Sequence, residues 1–373
     1  MNFLVTERQT LHRFLPGLDE ELAAIGLQRL EAPESGAIEL FRKHGGAGLL
    51  IPREYSGSGA SALEVMRIQR ALASRSPSLA VATTMHHFSV ATLVAMCAAS
   101  AGMEWLLLPA LAEQKLLVAS GFAEGQSGQS ILRPAMHAKK AAQGVLVSGS
   151  KKPCSLSRSM NLLTASVTVG GDSQERFAIA LIPAESPGIE RRPFWNSFIL
   201  AGAESDEIVL RDVFVPDRLL IQAGEDIKTD PTQGTGFLWF ELLISASYLG
   251  VASALAERTI QAGRGSVHDR SSLAIELESA MAALESVAHA LMDGGVGSSQ
   301  FARALFVRFA VQQAIERASA LAAELMGGMA FVQSSEIGYL QSAARALAFH
   351  PPSRLAAAGG LANYLAGGEL RLE

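Results

Sequence analysis

Five stretches of this chain carry side chains that could do chemistry. His350 stands in AFHPPS, where Pro351 and Pro352 supply no N–H and push the preceding residue out of the α region. The histidine therefore sits at a forced helix exit, from which its ring can be aimed into a pocket. An imidazole titrates near neutral pH and can give or take a proton at a reacting atom. His86 and His87 lie side by side on a strongly apolar segment; neighbours on a helix point about 100° apart, so one of them at most can face a given pocket. Glu241 is a lone acid on a long apolar helix, a carboxylate that needs a partner or a shifted pKa. Two loops complete the set. GFAEGQSGQS, Gly121 to Ser130, can turn backbone N–H groups toward the polar edge of a ligand. SGSKKPCSLSRS, Ser148 to Ser159, offers serine hydroxyls to a bound heterocycle. Each feature also has a plain structural account: a helix-breaking turn, core histidines, surface turns.

The elements that must position these residues fall into three blocks. Residues 1–116 are predicted helical: Leu18–Leu30, Gly36–His44, Ala62–Leu72 capped by Ser61 or Ser58, and Ser78–Ala99. From 117 to 222 the period changes to short β-rich runs (LLVASGF, GVLVSGS, NLLTASVTV, RFAIALIP, EIVLRDVFVP) set between Gly, Pro, Ser and Asp, the pattern of an antiparallel β domain. A linker over 223–236 leads to a helical block, 230–373, with helices over Phe237–Ala262, Leu273–Met292 and Phe301–Leu325. The glycine-rich loop has no strand–helix context, which excludes a Rossmann or P-loop nucleotide site.

Composition narrows the function. At 373 residues the chain can bury several cores; 49% of residues are hydrophobic and 18% charged. A net charge of −5 and no basic cluster give no footprint for nucleic acid. Cys97 and Cys154 fit no metal spacing and point to a reduced, cytoplasmic setting. MNFLVTERQTLHRFL reads as no signal peptide, and the apolar run near Met96–Leu111 is interrupted by Glu104 and Pro109, so no membrane span is expected.

Five motifs in order resemble the acyl-CoA dehydrogenase superfamily along nearly the whole chain. GLLIPREYSGSG is similar to the family's G-L-x-V-P-E-E-Y-G-G-x-G. GFAEGQSGQS stands where the family has T-E-P-G-A-G-S-D against the flavin. VLVSGSKKPCSL resembles V-L-N-G-x-K-x-F-I-T-N, EIVLRDVFVP resembles F-x-D-V-x-V-P, and ELMGG with LQSAARAL resembles Q-x-x-G-G with Y-R-D-A-R. The resemblance implies an α+β, mostly α fold: an N-terminal helical domain, a central antiparallel β-barrel-like domain and a C-terminal four-helix bundle that associates as a homodimer or homotetramer. It also implies FAD, or alternatively FMN or a reduced flavin supplied by a reductase. Flavin contacts would come from Phe122, Ala123, Gly128 and Gln129 of the first loop, Pro153 and Ser155 of the second, Gly327 and Gly328, and Ser353.

The departures from the family pattern bear on the reaction. Where the dehydrogenases carry the glutamate of Y-E-G-T, this chain has HPPS, and the base position falls on Pro351. Glu241 stands one position past Phe240, an alternative base site in some members. The end of the chain, AARALAFHPPSRLAAAGGLANYLAG, is similar to the flavin-dependent monooxygenase branch that includes the dibenzothiophene and hydroxyphenylacetate hydroxylases. That likeness places His350, Ser155 and His87 (or His86) around the flavin edge. Glu324 replaces the glutamine that holds the ADP half of FAD, GRGSVHDRSSL shortens the loop whose arginine would do so, and Pro153 replaces a shielding aromatic. Three functions follow. The favoured one is a two-component monooxygenase forming a flavin C4a-hydroperoxide and acting on a small molecule. The second is an acyl-CoA or acyl-carrier-protein dehydrogenase using Glu241 on an acyl thioester. The third is a non-catalytic partner subunit of an active paralogue.

Overall fold

Two segments of the sequence are so uniformly apolar that they must be covered on every side. In the computed structural model, which describes residues 2–99, 104–122, 136–170, 176–222 and 231–370, the rest of the chain covers them. Both helices, Pro77–Met96 and Gly234–Gln261, are long and apolar enough to cross a membrane, contrary to the expectation that no run reaches that length. However, 72% and 94% of their most apolar stretches are buried inside this chain. Their hydrophobicity is answered by protein.

The first block holds seven helices: α1 (Val5–Phe14), α2 (Leu18–Ile25), α3 (Leu27–Leu30), α4 (Ala37–Lys43), α5 (Ala62–Arg75), α6 (Pro77–Ala99) and α7 (Glu104–Glu113). Gly26 splits the expected Leu18–Leu30 helix in two, with φ +82. Of the two serines that could start α5, Ser61 does so: its hydroxyl accepts from the Glu64 N–H, and the Glu64 carboxylate accepts from the Ser61 N–H in return.

The middle block is one sheet: β1 (Val118–Gly121), β2 (His137–Ala141), β3 (Gly144–Cys154), β4 (Leu162–Val169), β5 (Arg176–Pro183), β6 (Ile189–Arg192), β7 (Asp206–Pro216) and β8 (Leu220–Gln222). The strand order is β6-β7-β3-β2-β4-β5-β8, with β1 also on β4. The hairpin-like pairings β2–β3, β3–β7, β4–β5, β5–β8 and β6–β7 are antiparallel, as the sequence pattern implies. The sheet is nevertheless mixed. β1 and β2 both run parallel to β4, a long-range pairing that alternation along single strands does not encode.

The last block is α8 (Pro231–Gln261), α9 (Val267–Met292), α10 (Ser298–Met326), α11 (Gly328–Gln333), α12 (Ser335–Ala344) and α13 (Arg354–Leu365). α8 is the hub, packing on α5, α6, α9, α10 and α12. It begins six residues before the expected Phe237. Gly234 and Gly236 look like linker residues, yet a Cβ at Gly234 would fall 2.6 Å from Val296 and one at Gly236 would fall 2.8 Å from the Thr92 hydroxyl. They are helical glycines kept small by neighbours. α9 likewise starts early, at a Ser266–Asp269 capping box.

Gly250 sets the closest approach in the hub. A Cβ there would lie 2.3 Å from the Arg70 carbonyl oxygen and 2.7 Å from Ala73 Cβ on α5. Backbone and a methyl group are the obstacles, so Gly250→Ala must push α5 and α8 apart. Overpacking of this kind costs about 1–3 kcal/mol. Chemical unfolding should show that loss, whereas Gly263→Ala, at a site with nothing within 4 Å but φ +62, reports backbone strain alone.

Candidate functional site

His350 is aimed by the chain around it. α12 tightens into a 3-10 turn over Arg345–Phe349, and His350 follows in extended conformation, φ −76 and ψ 139, ahead of the two prolines. Its ring enters a cavity of 290 Å³ between α6, α8 and the sheet. The Tyr248 hydroxyl, on α8, lies 2.8 Å from His350 Nε2, with the ring centroids 5.3 Å apart. Burial lowers the His350 pKa to about 3, and the positive charge of Arg308 adds to the effect. Burial also pushes the Tyr248 phenol far up. Both groups are neutral across the physiological range.

The opposite wall comes from the sheet. Ser120, Phe122, Pro153, Ser155 and Ile179 line it, with Trp195 from the segment after β6. The Ser155 hydroxyl lies 3.0 Å from the Ser205 hydroxyl. Its loop is held in an unfavourable backbone shape: Leu156, Leu200 and Glu204 all have φ between 54 and 64 without being glycine. The surroundings determine that shape. The Leu156 N–H donates to Ala203 O, the Ser157 hydroxyl donates to Glu204 O, and the Glu204 carboxylate accepts from the N–H groups of Arg158 and Ser159. Beside them the Cys154 thiol is buried and its pKa raised to about 12, so it is inert.

The floor is aromatic. Phe240 meets Phe88 edge to face, centroids 5.5 Å apart at 78°, and lies 6.1 Å from the His350 ring. Thus His350, Ser155, Phe122 and Pro153, four residues expected at the site, share one cavity.

Two expected catalytic residues do not reach it. His87 is fully buried against Phe41 and His86, and neither ring nitrogen has a hydrogen-bond partner. It points into the helical core, where desolvation and its neighbour hold its pKa well below the ordinary value. His86 is also structural: Nδ1 accepts from the Val118 N–H and Nε2 donates to Ala47 O, so it ties β1 to the helices. Glu241, expected as a base, stands outside the cavity lining. It is 1% exposed and pairs with Arg308 at 3.3 Å; burial raises its pKa to about 7. One position from Phe240 is about 100° of helix, and that turns the carboxylate away.

Among the remaining expected contacts, Gly327 and Gly328 link α10 to α11, and Ser353 caps α13 by accepting from the Ala356 N–H; none of the three is among the residues lining the cavity. Ala123, Gly128 and Gln129 fall outside the described residues.

Sequence reasoning missed Tyr248 and Arg308. Each left a signal: a phenol in the small-residue run LLISASYLGVASAL, and a charge in register with the buried Leu305, Val311 and Ile315 of α10. Arg308 is 1% exposed and donates to Pro352 O at 2.8 Å, His350 O at 2.6 Å and Leu347 O at 3.1 Å.

The depressed His350 pKa has a consequence for stability. The folded state refuses a proton that the unfolded chain takes at its ordinary pKa of 6.5, so the contribution of His350 is present above 6.5 and lost as pH falls toward 3. His350→Gln should therefore reduce the slope of unfolding free energy against pH over that window by one proton, about 1.4 kcal/mol per pH unit. An unchanged slope from pH 6.5 to 4.5 would contradict the buried neutral ring.

No protein-family model matches the chain. It is 46% identical over its full length, and the relative's full length, to an isobutylamine N-hydroxylase of Streptomyces viridifaciens. Among solved structures, KijD3 in complex with FMN and an amino-keto dTDP-sugar superposes with a TM-score of 0.85 at 18% identity, covering 98% of this chain and 95% of that one. The dibenzothiophene monooxygenase TdsC of Paenibacillus sp. A11-2, with FMN and indole, gives 0.80 at 18% identity over 99% and 98%. The fold, the histidine turn in place of the dehydrogenase glutamate and the full-length relative agree: the chain belongs to the acyl-CoA dehydrogenase superfamily, within its flavin-dependent monooxygenases.

Proposed function

We propose that this monooxygenase N-hydroxylates small aliphatic primary amines. The full-length 46% identity to an isobutylamine N-hydroxylase carries the reading, and the cavity supports it. The lining residues suit a flat heterocycle beside a short alkyl group: aromatic and aliphatic walls, with Ser120, Ser155 and Tyr248 among the lining. A reduced flavin bound there would supply two electrons to dioxygen, so that one oxygen atom goes to the amine nitrogen, the other leaves as water and the flavin ends oxidised. The apolar wall of Phe88, Phe237 and Phe240 excludes water and takes up the alkyl chain. With the Tyr248 hydroxyl donating to Nε2, the neutral His350 ring keeps an N–H that can donate to oxygen as charge develops there during transfer, and the same hydrogen bond keeps the ring oriented.

FMN, supplied in reduced form by a separate reductase, is the flavin we favour over FAD. Glu324 is exposed on α10 where an ADP phosphate would be repelled, and Arg270 is occupied by the carbonyls of Gly263 and Gly265 in its own loop. We place the enzyme in the cytoplasm, as a homodimer or homotetramer. The acyl-thioester alternative loses its base with Glu241 committed to Arg308.

With reduced FMN, air and isobutylamine, the purified protein should form the hydroxylamine, read by mass spectrometry. Dehydrogenation of acyl thioesters with no amine product would overturn the assignment. His350→Ala should lower hydroxylamine formation about a hundredfold or more while flavin binding persists. Phe240→Ala should move the preference toward longer amines, seen as a ratio of kcat/KM that shifts from isobutylamine toward a hexylamine.

A further inference from the structure

We propose that Arg308 is the positioning residue of this site: its guanidinium gathers the carbonyl oxygens of Leu347, His350 and Pro352, and so sets where the His350 ring stands against Tyr248.

The turn that carries His350 has a problem at its end. Helix ends leave carbonyl groups without amide partners, and Pro351 and Pro352 bring no N–H to satisfy them. The His350 N–H reaches back to Leu347 O at 3.2 Å. For the carbonyls of His350 and Pro352, Arg308 is the donor found among the described residues. One planar fork on a neighbouring helix thus ends a turn that its own sequence cannot end.

The arrangement is costly unless geometry is what it serves. Arg308 is fully buried, and a buried charge needs several partners. It has three carbonyls, and Glu241 at 3.3 Å as counter-charge. Apolar packing in its place would leave these carbonyls without a donor. The guanidinium instead offers donors at fixed angles, which an ammonium on a flexible stem does not.

α8 completes the clamp. Glu241 and Tyr248 are seven residues apart, two helical turns, so both project from one face. That face holds the imidazole through Tyr248 and balances the charge of Arg308 through Glu241. His350 is therefore fixed twice, by its carbonyl and by its ring nitrogen. The kinetic part of the test below rests on the amine-hydroxylating function; the labelling part does not.

The experiment compares full-length wild type with Arg308→Lys and Arg308→Ala. The first reading is the rate at which diethyl pyrocarbonate modifies His350, followed by peptide mass spectrometry, with exposed His12 as internal reference. The second is kcat and KM for isobutylamine. In Arg308→Lys we expect His350 modification to rise about threefold or more relative to His12, and kcat to fall about tenfold or more with KM within about twofold, the signature of a misplaced group. Arg308→Ala should show larger changes, with methylguanidinium restoring part of both. If Arg308→Ala does not fold, Arg308→Lys decides alone. His350 modification within twofold of wild type in Arg308→Lys would overturn the proposal, whether kcat falls or not, because Arg308 would then not control the ring. A wild type that hydroxylates no amine would refute the proposed reaction and leave the labelling ratio to judge Arg308.

Discussion

Helix α8 has no polar face, and that constraint organises the molecule. Thirty-one residues of mostly small and apolar type must be surrounded, and α5, α6, α9, α10 and α12 surround them. Small residues allow close approach; at Gly250 the α5 backbone comes nearer than any side chain would permit. The burial stabilises the fold through removed apolar area. It also makes every polar group on α8 expensive, and most have partners, the buried Ser245 hydroxyl being an exception. Thr84 and Ser247 share a hydrogen bond at 3.1 Å, Ser253 accepts from Arg70 at 3.1 Å, and Glu241 faces Arg308.

Two buried arginines turn this packing into defined geometry. Arg70 joins four helices: its guanidinium donates to Glu7 of α1, Glu278 of α9 and Ser253 of α8 from its own place on α5. Arg308 does for the histidine turn what Arg70 does for the helical block. In each case the charge is fully desolvated and its donors are largely occupied, the condition under which a buried ion is tolerated. The cavity beside them stays electrically quiet, with a neutral imidazole and a neutral phenol. A quiet, water-poor cavity suits chemistry in which activated oxygen must reach the substrate before it reacts with water.

Much of this was legible in the residues. The change of period near 117 and back near 230 separates helix from strand. His350 announces itself through Pro351 and Pro352, because two successive prolines supply no N–H and push the residue before them out of the α region. Ser155 and Pro153 could be placed by motif. His87 could not be separated from His86 by sequence: adjacent positions differ only in angle, and which faces solvent, sheet or core depends on how α6 is rotated. Here α6 turns His86 toward β1 and His87 toward Phe41, leaving neither for the cavity. Gly234 and Gly236 misled for a related reason. Glycine looks like a linker until a neighbour is known to need the room.

The sequence by itself determined which segments would be helix or strand, where the histidine turn must occur, and that the dehydrogenase base is gone, since those follow from local chemistry and spacing. Only the tertiary structure decided that β1 and β2 run parallel to β4, that Glu241 answers Arg308 instead of a substrate, and that Tyr248 meets His350, 102 positions further along the chain. Such pairings join residues far apart along the chain. They exist because burial forces each polar atom to find a partner in space, and no local pattern records which partner that will be.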